Sequence, residues 1–200
     1  MRLLLIRHGD TDAVGHYIAG NVPGTHLNDA GHAQVAALVA RLHDVPLTGV
    51  VSSPLERTRQ TAEPIARDHG LDVEIEPALS EFDFGSWTGA TFASLASDAS
   101  WGRFNTVRSL TAATRGELML DVQRRAVAAA LDVRNRHATG TVALVSHGDV
   151  IRALLLFVLG MPIDFYWRIE VQPARISVVE LSEDAPRVLQ VNGDNATGVA

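Results

Sequence analysis

The chain has 200 residues, no cysteine, and 17 Lys+Arg against 23 Asp+Glu for a formal net charge of −6. The missing cysteines exclude disulfides, thiolate catalysis and cysteine-based metal sites, and the negative balance argues against nucleic acid or an anionic membrane surface as a partner. A hydrophobic share of 46% is enough for one sizeable core, so a single domain over residues 1–200 is expected.

The chain opens with the apolar run Leu3–Ile6. It is far too short for a signal or membrane segment, so a cytoplasmic location is expected. It reads instead as a strand buried on both faces, and it ends abruptly on Arg7-His8-Gly9-Asp10-Thr11. Asn28 is placed to cap a helix carrying Val35, Leu38, Val39 and Leu42 on one stripe, closed by His43 and Pro46. Residues 49–53, GVVSS, form a second buried strand. Ser53-Pro54-Leu55-Glu56 then reads as a capping box with proline at the first helical position. Pro64 predicts a kink or restart of that helix near residues 61–63.

DVEIEP at 72–77 alternates and reads as a strand near an edge. The segment 86–114 is rich in Ser, Thr and Ala yet holds Trp87, Phe92, Trp101 and Phe104, which predicts a short helix and a loop folded over something, a lid that sets specificity. Residues 118–137 read as a long helix with Arg124, Arg125, Arg134 and Arg136 on its exposed side. TVALVS is a central strand that ends in His147-Gly148-Asp149, and 149–159 is a further helix. RISVVEL and RVLQVN form an antiparallel pair, and residues 193–200 are expected to fray.

Alternating strands and helices predict a three-layer α/β/α sandwich with a mostly parallel central sheet, in which ligands gather beyond the carboxyl ends of the strands. Both His-Gly-Asp triplets fall where a strand runs out. His8, His147, Arg7 and Arg57 can therefore converge, and forked guanidinium donors beside a helix N-terminus suit a phosphoryl group. With no cysteine and no Gly-x-Ser-x-Gly setting, the imidazole of His8 is the best available nucleophile. Departure of an alcohol needs an acid, for which Glu81 in LSEFDFGSWTG is the candidate, with Asp83 as its competitor.

Other polar residues read more blandly. Arg59 is a solvated charge, Asp10 and Asp149 are supporting or capping groups, and His16, His26 and His32 are loop histidines whose spacing matches no zinc pattern. Helix faces and the strand at 176–181 could serve a homodimer, although nothing marks an interface.

RHGDT, SSPLERTRQTA, LSEFDFGSWTG and VSHGDVIRAL, in that order, resemble the histidine phosphatase superfamily, also called phosphoglycerate mutase-like. The resemblance implies the phosphoglycerate mutase-like fold and a phosphohistidine mechanism. In it His8 attacks phosphorus, Arg7, Arg57 and His147 hold the phosphoryl oxygens, and Glu81 serves as acid and then as base. It implies a small phosphorylated substrate and neither metal nor cofactor. Gly9 and Gly148 are expected to allow close backbone approach, with Gly148 at the substrate.

Two positions depart from the family pattern. Asp10 stands where many members have glutamate, and Val14 where an asparagine usually helps hold phosphate, a role left to Thr11 or Asn21. The chain's length points to the small phosphatases of the family rather than its longer mutases, and VNGDNATGV and RGELMLDVQRRAV look somewhat like the α-ribazole phosphatase branch. A phosphoglycerate mutase-type phosphotransferase, a phosphate-binding module without turnover, and a metal-dependent hydrolase built on His8, Asp10, His147 and Asp149 are the alternatives.

Overall fold

The structure, a computed structural model, describes residues 1–182 and 184–196. Its sheet contains β1 (Arg2–Arg7), β2 (Leu47–Ser52), β3 (Val73–Ile75), β4 (Thr141–Ser146), β5 (Ile176–Leu181) and β6 (Pro186–Gly193), in the order β3-β2-β4-β1-β5-β6. The four strands from β3 to β1 run parallel and β5 pairs antiparallel with both β1 and β6, so the sheet is mixed with a parallel centre.

Helices α1 (Asp29–Leu42) and α2 (Glu56–Asp68) cover one face. The other is covered by α5 (Met119–Arg136) and α6 (Gly148–Val158), with the short helices α3 (Phe92–Leu95) and α4 (Ala99–Thr106) beside them. β1 shows why its apolar run is unbroken. Leu4 and Ile6 pack with Leu38, Leu42 and Ile65 on one side, while Leu3 and Leu5 pack with Val122, Ala126 and Leu155 on the other. Each such side chain taken from water contributes about 2 kcal/mol.

β1 and β4 are neighbours in register, Arg7 opposite Ser146, so the residues that follow each strand emerge side by side at one sheet edge. Beneath that edge α1 lies against the turn after β1 with nothing between them. A Cβ on Gly31 would stand 2.2 Å from the Asp10 carbonyl oxygen, and one on Gly9 would stand 2.9 Å from the Gly31 oxygen. Gly148 has more room, since its added Cβ would meet only the Arg7 guanidinium at 3.5 Å, an ordinary contact, so close approach is not what glycine provides there.

The sequence expectations for α1, β3, α5, β4, α6 and the β5–β6 pair match the structure to within a few residues, and the Asn28 side chain does cap α1, accepting from Gly31 N. Five expectations are corrected. Ser53 does not cap a helix. α2 starts at Glu56 without a side-chain cap, because the Ser53 hydroxyl is taken by His147 at 2.8 Å and Glu56 bonds Gly24 N instead. Pro64 does not restart α2, which runs through it; buried Ala62, Ile65 and Ala66 outweigh the lost hydrogen bond. Arg125 does not face solvent but reaches inward to backbone carbonyls around residue 80. His32 lies on helix α1 rather than in a loop, although it is exposed as His16 and His26 are. The strand Ile176–Leu181 is flanked by β1 and β6 and has no open edge to offer a second copy.

Within residues 193–196, Asp194 is held by Arg41 and Arg175, which opposes fraying there; Thr197–Ala200, also expected to fray, lie outside the described residues.

The segment 86–114 contains α3 and α4, each with a side-chain N-cap (Thr91, Asp98). Its aromatic residues pack together, Trp101 lying 5.3 Å from Trp87 and 5.6 Å from Phe104 between ring centroids. Backbone bonds from Ile18 N to Ala90 O and from Phe92 N to His16 O stitch it to the loop after β1. No helix among the described residues is long and apolar enough to cross a membrane.

Candidate active site

At the carboxyl end of β1 and β4 a cavity of about 190 Å³ opens, lined by Arg7, His8, Thr11, Arg57, Glu81 and Gly148 among others. His8 and His147 meet behind its floor in an edge-to-face arrangement, ring centroids 5.3 Å apart. His8 Nδ1 lies 2.7 Å from the Gly9 carbonyl oxygen. A carbonyl can only accept, so Nδ1 carries the proton and Nε2 keeps the lone pair. Burial first, then the charges of Arg7 and Arg57, hold His8 well below the usual histidine range, so its ring is neutral near pH 7.

His147 is fully buried and does not line the cavity itself. Its Nε2 is 2.8 Å from Ser53 Oγ, which also accepts weakly from Leu55 N at 3.4 Å. When the hydroxyl donates to Nε2, the ring proton sits on Nδ1. That Nδ1 has no hydrogen-bond partner and lies 4.0 Å from Glu81 Oε2. Burial, followed by Arg57, His8 and Arg7, also keeps this ring neutral.

The guanidiniums are each fastened at one end. Arg7 Nη1 donates to Val171 O at 2.7 Å and Arg57 Nη2 to Gly20 O at 2.8 Å, while Arg7 Nε and Arg57 Nη1 stay buried and unpartnered. Thr61 joins the two elements, accepting from Gly9 N and donating to Arg57 O. Arg59 is exposed and pairs with Glu63, as expected. Burial and then the Asp149 charge raise the Glu81 carboxyl to about 7, so a large share of it is protonated at neutral pH. Asp83 is turned away, accepting from Gly85 N. Thr11 lines the cavity; Asn21 does not, although its neighbour Gly20 supplies the carbonyl for Arg57. Val14 lines the cavity with an apolar side chain.

Three cavity residues escaped the sequence reading: Arg108, Arg152 and Tyr166. Arg108 is only 3% exposed and is stacked on Phe104 at 4.2 Å and Tyr166 at 3.6 Å, with Nε and Nη1 unpartnered. Burial lowers it to about 10, so it remains charged at neutral pH. Asp149, 3.7 Å from Arg108 Nη1, takes the hydrogen bond of the Tyr166 hydroxyl, which in turn accepts from Arg152. The only signal was an arginine four residues after a buried aromatic; its other stacking partner comes from a distant part of the chain. Phe92 and Trp101 form a further wall. Asp10 faces away, accepting from Thr11 N, and no group of three or more His, Asp or Glu among the described residues is placed to hold a metal ion.

A covered α/β sheet that gathers unpartnered guanidinium and imidazole donors around one neutral histidine defines a pocket for a tetrahedral anion. The chain belongs to the histidine phosphatase superfamily (branch 1), whose family model matches residues 3–194. It is 29% identical over 196 residues to phosphoserine phosphatase 1 of Hydrogenobacter thermophilus, covering 96% of this chain and 92% of that protein. A bifunctional protein of Mycobacterium tuberculosis is 35% identical over 187 residues, 92% of this chain but 51% of its own length; the chain thus spans about half the length of some curated relatives it matches. Among solved structures, the alpha-ribazole phosphatase from Shigella flexneri superposes with a TM-score of 0.87 at 28% identity, covering 98% of each chain. A mycobacterial glucosyl-3-phosphoglycerate phosphatase gives 0.86 at 26%, covering 96% of this chain and 98% of that one. The phosphoglycerate mutase-like α/β/α fold expected from the sequence is therefore the fold of the chain.

Proposed function

We propose that the protein is a phosphomonoesterase that passes a phosphoryl group from a small ester to His8 and then to water. The observation that carries this reading is the set of buried donors without partners, Arg7 Nε, Arg57 Nη1 and His147 Nδ1, beside a neutral His8. Buried donors left unpaired cost about 1–3 kcal/mol each, and phosphoryl oxygens would satisfy them.

In the first step His8 Nε2 forms a bond to phosphorus as the ester P–O bond breaks, and Glu81 gives its proton to the departing oxygen. In the second, the Glu81 carboxylate takes a proton from water as the water oxygen bonds phosphorus and the P–N bond breaks, releasing phosphate. Arg7, Arg57 and His147 hold the equatorial oxygens, Thr11 and Gly148 border the phosphoryl site, and the 86–114 segment is the lid over the leaving group. No step calls for a metal or cofactor. On this reading the chain forms one domain acting in the cytoplasm, without nucleic acid or membrane partners.

Arg108 supports a finer statement, that the ester carries a second anionic group. Arg108 lines the same cavity with two donors outside any hydrogen bond, Nη1 lying in ion-pair range of Asp149, and the names phosphoserine phosphatase and glucosyl-3-phosphoglycerate phosphatase denote esters bearing a carboxylate. The same feature argues against α-ribazole phosphate, whose aglycone is uncharged. Hydrolysis is favoured over phosphoryl transfer between hydroxyls by the phosphatase names of these relatives.

Trapping of the phosphorylated enzyme tests the reading at its centre. Mass spectrometry of enzyme quenched in alkali during turnover is expected to place a phosphoryl group on residue 8, chasing into free phosphate; an unlabelled His8 under active turnover overturns the mechanism. A comparison of glycerol 3-phosphate with 3-phosphoglycerate tests the second charge. The acid is expected to have the higher kcat/KM by about tenfold or more, a preference lost in Arg108→Ala. Equal rates for both esters overturn it.

A further inference from the structure

Arg125 belongs to helix α5, outside the cavity, yet every one of its N–H donors is spent on the segment that carries Glu81 or on the residue that braces it. Nη1 donates to Ala78 O at 2.7 Å and Ser80 O at 2.6 Å, and Nη2 to Glu81 O at 3.1 Å. Nε and Nη2 hold the two carboxylate oxygens of Glu117 at 2.9 and 3.0 Å. The same Glu117 closes the segment from its far side: its Oε2 accepts from Asp83 N at 3.0 Å, and its own N donates to Asp83 O at 2.9 Å. A guanidinium has five donors, and here all five are matched.

The contrast with the cavity is informative. Arg7, Arg57 and Arg108, which line the cavity, keep donors outside any hydrogen bond, whereas Arg125 keeps none. The span from 78 to 83 contains only one short 3-10 turn, Pro77–Leu79, and the stretch around Glu81 has no regular secondary structure. No helix or strand runs through Glu81 itself; from the sheet, the Ser146 hydroxyl holds Leu79 O at 2.8 Å, two residues before it. The only local side-chain bond of Glu81 is to the adjacent Phe82 N at 2.9 Å.

We infer that Arg125 and Glu117 form a clamp that positions Glu81 for proton transfer, making Arg125 a positioning residue for the leaving-group step. The inference rests on the proposed role of Glu81 as the acid. A general acid delivers its benefit only if its proton lies within hydrogen-bond reach of the departing oxygen, so a small displacement of the 78–83 backbone weakens protonation while leaving the phosphoryl contacts of Arg7 and Arg57 in place. Lysine cannot replace this arginine, since three donors on one nitrogen cannot match five acceptors spread around a planar guanidinium.

The leaving group separates this role from a general structural one. A p-nitrophenolate leaves without a proton, whereas the alkoxide of an alkyl ester does not, and kcat/KM reports the step in which His8 is phosphorylated. Glu81→Gln, Arg125→Lys and Glu117→Gln are to be assayed with p-nitrophenyl phosphate and with the better of glycerol 3-phosphate and 3-phosphoglycerate. Glu117→Gln keeps the shape of the clamp and guards against misfolding of Arg125→Lys. The expected result is that each variant loses about tenfold or more in kcat/KM on the alkyl ester beyond its loss on the aryl ester. If Glu81→Gln shows that asymmetry while both clamp variants lose the two substrates equally, or lose neither, the clamp is overturned and Glu81 stands. If Glu81→Gln itself shows no asymmetry, its role as acid fails and the clamp falls with it.

Discussion

The rings of His8 and His147 meet edge to face at 5.3 Å although 139 residues separate them along the chain, because each follows a strand and the strands are neighbours in register. The spacing between parallel strands, about 4.8 Å, thereby sets the spacing of the imidazoles. A neutral His8 is held beside a neutral His147, and the positive charge comes from the arginines.

Arg57 is the arginine with one end fixed on Gly20 O and the other open. Arg57→Ala is expected to lower kcat by roughly two to three orders of magnitude, since removing one such preorganised contact to a developing charge costs about 3–4 kcal/mol. Steady-state phosphate release, with circular dichroism to verify folding, checks this.

The pH profile follows from two shifts in opposite directions. His8, held below the usual histidine range by burial and by Arg7 and Arg57, must be neutral to attack, so the acid limb of kcat/KM falls below pH 6.5. Glu81, raised to about 7 by burial and Asp149, must be protonated to serve the first step, so rate on an alkyl ester declines above about that pH. A profile flat through neutrality into the alkaline range contradicts the assignment of Glu81.

The same carboxyl links stability to pH. Its folded value of about 7 exceeds the ordinary glutamate value of 4.5, so the folded state binds more protons between the two, and stability is full below 4.5 and lost as pH rises through 7. Glu81→Gln removes the charge that burial disfavours. Its melting temperature should exceed that of the parent by about 3 °C or more near pH ~8 and match it near pH ~4. Equal melting temperatures at both values would show that the carboxyl is not destabilised by burial.

Ser53 gives a prediction that separates its observed role from the expected one. Losing a helix cap would leave the active-site chemistry untouched, but Ser53→Ala strands His147 Nε2 in a fully buried setting. The expected cost is about 1–3 kcal/mol, a fall of roughly 3–10 °C in melting temperature, together with reduced turnover from a misoriented His147. Differential scanning calorimetry and kinetics on the same preparation measure both.

The residues that were legible in the sequence are those whose chemistry interrupts an apolar run. Leu3–Ile6 into Arg7-His8 and Ala143–Val145 into His147 announced two buried strands and what stands at their ends, and buried Arg57 was separable from Arg59. Ser53 was misread because one hydroxyl can serve a helix or a histidine, and only tertiary packing decides between them. Arg125 was misread because a polar residue flanking a buried helical stripe, here Val122, Ala126 and Ala129, looks solvated until its length finds carbonyls 44 to 47 residues away. Arg108 was missed since half of its aromatic sleeve, Tyr166, lies in a part of the sequence with no recognisable pattern.

The bare contact of Gly31 with the Asp10 carbonyl oxygen gives helix α1 a mechanical office. It is the anvil under the turn that follows His8, with no compressible layer of side chain between the two. Under the proposed role of His8, any larger residue at 31, which touches no polar group of the cavity, is expected to be felt as lost turnover, so the seat of that ring is set by a residue that has no side chain at all.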